Sequence, residues 1–301
     1  MRKPIRVFAV VLSVALGALV AARAAAADVA LVHKGLAVNG KAVLADGKSW
    51  KDGAILLVHG TLAHGGMSTI AALQTLLKDK GRSSLAINLS YNIGNRRGNY
   101  DCALPHTHRH QDAVDEIAAW VAWLKGQGAI NVVMLGHSRG GNQAARYATE
   151  RIDPAVRAVV LLAPATWNSV AVAKAYEQRH KRSLARVIVA AQDLVKAGKG
   201  GALMPGIDFL TCPDTTVSAA TFLSYYVDDK KMDTPAMVSA IPVPALVIAG
   251  SADTIVPDIP DKMKGRVHGT VTFKVIDGAD HFFRDLYAED VVDAITEFLG
   301  G

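Results

Sequence analysis

A chain of 301 residues, half of them hydrophobic and a fifth charged, has the balance of an ordinary globular protein, which excludes global disorder. Its length suits one large domain or two small ones. The formal charge of +6 argues only weakly for a nucleic-acid or membrane partner, because much of it is concentrated at the start of the chain.

Arg2, Lys3 and Arg6 make that start positive, Val7 to Val20 is apolar, and Ala21 to Ala27 is rich in small residues and broken by Arg23. Charged, apolar and small in that order is the pattern of a secretory signal peptide. The apolar run is shorter than the roughly 20 residues that span a bilayer. The expectation is a signal peptide over residues 1–27, cleaved before Asp28, and a mature domain over 28–301 with no stable membrane anchor, periplasmic or secreted. Losing Arg2, Lys3, Arg6 and Arg23 lowers the formal charge from +6 to +2. The chain has two cysteines, Cys102 and Cys212. Exported thiols can oxidise and remain so, and two permit one internal pairing, so a Cys102–Cys212 disulfide is expected.

Beyond residue 27 the chain alternates two kinds of segment. An antiparallel hairpin is expected over Val29–Leu44, with Asn39-Gly40 as its turn. Continuous apolar runs follow at Ile55–Val58, Leu85–Leu89, Val132–Leu135, Val159–Leu162 and Leu246–Ala249, with a weaker alternation at Val271, Phe273 and Val275. Such runs suit parallel strands covered on both faces. Between them lie stripes of helical period: Ile70, Leu73 and Leu77; Val114, Ile117, Ala118 and Val121; Val291, Ile295, Phe298 and Leu299. Alternation of this kind predicts an α/β fold with a mostly parallel sheet flanked by helices.

About eighty residues separate the runs ending near Ala163 and beginning near Pro244, too many for a structureless loop. Lys174–Lys196 and Thr216–Tyr226 read as helices, and Lys199-Gly200-Gly201 and Met204–Pro213 as turns. The segment, about 166–241, is expected to be a helical lid over the site, since Phe209, Phe222, Leu223, Tyr225 and Tyr226 give it packing surface.

Gly136-His137-Ser138-Arg139-Gly140 follows an apolar run directly and precedes a helix-compatible stretch, Asn142 to Glu150. This is G-x-S-x-G in strand–turn–helix context: a sharp turn that projects a serine at the carboxyl end of a strand, with glycines where the backbone passes closely. A serine hydroxyl needs a base to take its proton, and His281, past the last strand run, is the candidate. The acid that orients the imidazole is expected to be Asp253, after Gly250-Ser251-Ala252, with Asp280 and Asp277 as competitors. The oxyanion donors are expected to be the backbone N–H groups of Arg139 and of Thr61, with Leu62 as a neighbour of the latter. His59 reads as structural.

The order Ser138, Asp253, His281, together with the His59-Gly60 loop and the segment Asp280-His281-Phe282-Phe283, resembles the α/β-hydrolase superfamily over nearly the whole mature chain. The resemblance implies the α/β-hydrolase fold, with its eight-stranded-type sheet, and serine-type hydrolysis without a cofactor. An esterase or lipase acting on a small-molecule or lipid-like ester comes first. A peptidase or thioesterase of the same fold is the alternative, and a non-catalytic binding protein on this scaffold belongs to a different class. A superfold does not specify its substrate.

Other features have blander readings. His106, His108 and His110 alternate as zinc ligands could, but a polar loop near the site accounts for them, and no metal or nucleic-acid partner is expected. Asn95-Arg96-Arg97-Gly98 reads as a solvated loop, Arg179-His180-Lys181-Arg182 as the charged face of a lid helix, and Trp120 and Trp123 as packing residues.

Overall fold

The computed structural model describes residues 26–227 and 230–300. Of the expected signal peptide over residues 1–27, residues 1–25 lie outside the described residues. The first strand, β1 (Ala27–His33), pairs antiparallel with β2 (Leu36–Val43). Their turn falls at Lys34-Gly35, not at Asn39-Gly40. Both turn residues have positive φ, 48° and 80°, the backbone of a two-residue hairpin turn that matches strand twist. Asn39-Gly40 instead lies within β2, where Gly40 pairs with Val29 on one side and Ile87 on the other.

The apolar runs form the centre of the sheet. They are β3 (Ala54–Val58), β4 (Ser84–Ile87), β5 (Val132–His137) and β6 (Val156–Leu162), and every residue of β3 and β4 is buried. Complete burial of such side chains is worth about 1.5–3 kcal/mol each, which explains why these strands carry no polar alternation. The helices that cover them are α1 (Ser68–Asp79), α2 (Asp112–Gly126) and α3 (Arg139–Glu150). Trp120 is fully buried on α2 and meets Trp123 edge to face, as Trp123 meets Trp50, so both tryptophans serve packing.

The long segment after β6 is mixed rather than purely helical. It contains α4 (Ser169–His180), α5 (Leu184–Lys196), the antiparallel pair β7 (Leu203–Phe209) and β8 (Cys212–Ser218), α6 (Ala219–Tyr226) and the short α7 (Thr234–Met237). The helix expected over Lys174–Lys196 is two helices, broken where Lys181 takes φ 56°. The turns expected over Met204–Pro213 are most of a hairpin with irregular register, and the helix expected from Thr216 begins only at Ala219. Exposed Arg179 and half-buried His180 both donate to the Leu210 carbonyl.

The chain returns to the sheet with β9 (Ala245–Gly250), the short α8 (Ile259–Met263), β10 (Val271–Ile276) and α9 (Leu286–Phe298). The eight-stranded sheet has the order β1-β2-β4-β3-β5-β6-β9-β10, and the pairs from β4 to β10 are all parallel. Helix α1 packs on α9 and α2 on α3, one pair on each face. No helix among the described residues is long and apolar enough to cross a membrane.

Candidate active site

The candidate site lies at the carboxyl ends of β3, β5, β9 and β10, where open α/β sheets bind ligands. Ser138 follows β5 with φ 56° and ψ −123°, a conformation costly for a residue with a Cβ. The turn is possible because its glycines are bare. A Cβ on Gly136 would sit 2.3 Å from the Gly140 carbonyl oxygen, and one on Gly140 would sit 2.5 Å from that of Val58.

The structure brings three of the sequence-predicted residues into one chain of hydrogen bonds. His281 Nε2 lies 2.9 Å from Ser138 Oγ, and His281 Nδ1 lies 2.7 Å from Asp253 Oδ2. The other carboxylate oxygen of Asp253 accepts from the N–H groups of Ile255 and Val256. Burial tends to raise the Asp253 carboxyl, but the bonds from His281 and from those two amides pull it below the usual carboxylate value. It therefore stays ionised and can hold Nδ1–H toward itself, leaving Nε2 to accept from the serine. The two competitors are engaged elsewhere: Asp280 accepts from the Phe282 N–H and Asp277 from the Ser251 hydroxyl.

The loop after β3 closes on Ser138 so tightly that a Cβ on Gly60 would lie 3.3 Å from the serine Cβ. The Thr61 N–H has no acceptor among the described residues. The Arg139 N–H, at the first position of α3, has none within its helix. Both thus remain available beside the serine. Leu62 does not share that role, because its N–H donates to the Tyr91 hydroxyl. His59 pins the loop from below: its Nδ1–H donates to the Gly60 carbonyl, and its Nε2 accepts from the Leu89 N–H. Burial, with Arg96 nearby, drives the His59 imidazole down to about 3, so it stays neutral.

One contributor escaped the sequence reading. His137, a variable position of the pentapeptide, is fully buried and donates Nε2–H to the backbone carbonyl of His281 at 2.9 Å. Burial and the adjacent His281 lower it to about 4. A histidine at that position carries no spacing signal, so only the fold shows its partner.

The sequence model of the alpha/beta hydrolase family matches residues 55–294 of the chain. The chain belongs to that family. Among solved structures, this hydrolase is similar to Est1E from Butyrivibrio proteoclasticus, at 18% identity and a TM-score of 0.61, covering 90% of this chain and 97% of that one. It is also similar to the alpha/beta hydrolase GrgF from Penicillium sp. sh18, at 15% identity and TM-score 0.65, covering 91% and 98%. A third is a monoacylglycerol lipase from Paleococcus ferrophilus, at 20% identity and TM-score 0.60, covering 87% and 98%. No curated protein matches the sequence.

In this hydrolase the loop after β4 and the segment after β6 are sewn together beside the site. Cys102 and Cys212 form a disulfide, with Cα atoms 5.3 Å apart. His106 makes a parallel bridge to β8, donating to the Thr216 carbonyl and accepting from the Ser218 N–H. His106, His108 and His110 are consequently fully buried, not part of an open polar loop. His106 stacks on Tyr100, His108 Nε2 lies 3.3 Å from Glu116 Oε1, and His110 meets Tyr225 edge to face. No group of three or more His, Cys, Asp or Glu side chains suited to a metal occurs among the described residues. Arg96 is also buried, donating to the carbonyls of Leu89 and Gly98, whereas Arg97 pairs with Asp28 at the surface. A cleft of about 480 Å³ at the opposite ends of the strands, lined by Ile55, Arg82 and Asn131 among others, is remote from Ser138.

Proposed function

We propose that the protein is a serine hydrolase that cleaves carboxylic esters through an acyl-enzyme. The observation that carries the proposal is the unbroken relay from Asp253 through His281 to Ser138, with hydrogen bonds of 2.7 and 2.9 Å. In the reaction, Ser138 Oγ bonds to the ester carbonyl carbon as His281 Nε2 takes its proton. The oxyanion rests on the N–H groups of Thr61 and Arg139. The imidazolium, stabilised by ionised Asp253, gives its proton to the departing alcohol as the C–O bond breaks. Water then attacks the acyl-enzyme with the same base, releases the acid and restores Ser138.

The ester preference draws support from a structural neighbour named as a monoacylglycerol lipase. Two further readings accompany it. The segment 166–241 serves as a cover for the site, since Tyr225 on α6 stands against Arg139 next to the nucleophile. The protein works after export, a reading supported by the charged–apolar–small start of the chain and by the disulfide.

The test is turnover of a panel of 4-nitrophenyl esters of graded acyl length, with thioesters and peptide amides of the same acyl groups alongside. The expected result is ester hydrolysis that falls by at least about a thousandfold in Ser138→Ala with circular dichroism unchanged. Hydrolysis of the esters at the wild-type rate by Ser138→Ala would overturn the assignment.

A further inference from the structure

The residue after the nucleophile contributes more than its backbone. The Arg139 side chain lies against the β3 loop and α6: its Nε–H donates to Thr61 Oγ1 at 3.1 Å, and its guanidinium carbon sits 5.2 Å from the centre of the Tyr225 ring. The guanidinium thus stands over Thr61 and Tyr225, and Thr61 also supplies one of the two N–H groups beside Ser138. A guanidinium has five N–H donors, and only Nε has a partner among the described residues. Among the described residues no carboxylate pairs with it. The buried carboxylate on α2, Glu116, is already engaged by the Ser90 N–H, the Ser90 hydroxyl and His108.

The surroundings leave the positive charge uncompensated. Tyr225 and His110, both almost wholly buried and packed on each other, have a hydroxyl and two ring nitrogens without a protein partner. Burial, reinforced by the charges of Arg139 and Arg146, holds His110 well below the usual histidine value, so it adds no second cation. A half-buried cation with no counter-ion is costly. Its fixed orientation, clamped by a hydroxyl and an aromatic face, suits recognition of a planar anion through two parallel N–H bonds.

We propose that Arg139 is a specificity residue that binds an anionic group, a carboxylate, on the acyl part of the ester. This rests on the ester-hydrolase reading above. The acyl side follows from proton transfer: the leaving alcohol must face His281, which protonates it. The acyl chain then extends across Ser138 toward Thr61, Arg139 and Tyr225, away from the carboxylates of Asp253 and Asp280. Half-esters of short dicarboxylic acids are the substrate class that fits.

The experiment compares kcat/KM for 4-nitrophenyl butyrate with the 4-nitrophenyl half-esters of succinic, glutaric and adipic acids, in wild type, Arg139→Gln and Arg139→Lys. Wild type should favour at least one half-ester over the neutral ester. Arg139→Gln should lower that preference by about ten- to hundredfold, mainly through KM, and Arg139→Lys by less. A side chain that only held Thr61 in place would, when replaced, slow neutral and anionic esters equally. An anionic-to-neutral ratio in Arg139→Gln within twofold of wild type would overturn the proposal, as would a wild type that disfavours every half-ester. Failure of the wild type to hydrolyse any of the four esters would instead count against the ester-hydrolase reading.

Discussion

His137 holds the backbone of His281: its Nε2–H reaches the His281 carbonyl at 2.9 Å, and the two rings lie 5.0 Å apart. The candidate base is therefore anchored at both ends, by Asp253 on its ring and by His137 on its main chain. On the other side of the same loop, the Thr69 hydroxyl donates to the Phe282 carbonyl at 2.9 Å. Catalytic geometry is sensitive to displacements near 1 Å, which cost on the order of a hundredfold. Replacing His137 by Ala should lower kcat about ten- to hundredfold with KM changed less than threefold. Steady-state kinetics on one good ester checks this, and a change confined to KM would speak against the anchoring role.

In the proposed reaction Asp253 keeps the imidazole in the tautomer whose Nε2 can accept the serine proton. Asp253→Asn preserves shape but donates or accepts ambiguously, so the wrong tautomer becomes favoured. The expected loss in kcat is about a thousand- to ten-thousandfold near neutral pH, the scale typical of such substitutions. Asp280→Asn, whose carboxylate serves only the Phe282 N–H and the edge of Arg284, should cost less than about tenfold. Stopped assays of both variants distinguish the two carboxylates.

Four buried histidines set the behaviour in acid. His59 and His106 are pushed down to about 3, His137 to about 4, and His110 well below its ordinary value, in each case chiefly by burial. The unfolded chain binds these protons near the ordinary histidine value of 6.5, and the folded chain refuses them. Stability is therefore full above that value and falls as pH drops from about 6.5 toward 3, by up to about 1.4 kcal/mol per pH unit for each group. The lowered Asp253 carboxyl adds stability that is present above its unfolded value and lost as pH falls through the folded one. Urea melts at pH 7.5, 6.0, 5.0 and 4.0 should show a steep decline, and His106→Phe should flatten it. A constant midpoint across that series would contradict the burial of neutral histidines.

Much of this was readable from residue order alone. The runs that became β3 to β6 and β9 are covered on both faces, so their sequences are continuously apolar and leave little choice of conformation. The elbow was legible because its glycines answer to backbone collisions, at Gly136 and Gly140, that admit no side chain. Asn39-Gly40 misled because that dipeptide fits a hairpin turn, while in the fold Asn39 is buried and donates to the Asn95 side chain and the Arg96 carbonyl. The β7–β8 hairpin was missed because Pro205, Gly206 and Pro213 read as turns, and its ladder is interrupted at just such positions. The contacts of the His137 and Arg139 side chains were invisible for a different reason: each depends on a partner from a distant loop or helix, which no local pattern reports.

The disulfide is the covalent part of the seam between the β4 loop and the inserted segment, beside the bond from the Thr215 hydroxyl to the Cys102 carbonyl. It joins residues 110 positions apart, and links of that kind typically contribute about 2–5 kcal/mol. The double variant Cys102→Ser/Cys212→Ser should unfold at lower denaturant by that amount. Proteolysis should cut it first within the inserted segment, as mass mapping of the fragments would reveal. Equal midpoints for the oxidised wild type and the variant would contradict a stabilising seam.

The central claim is that Ser138 is an activated nucleophile, and covalent labelling tests it most directly. A fluorophosphonate probe, followed by peptide mass mapping, should give one adduct on Ser138, absent in Ser138→Ala and formed far more slowly in His281→Ala. A folded wild-type protein that stays unlabelled, or carries its adduct on another serine, would contradict the account.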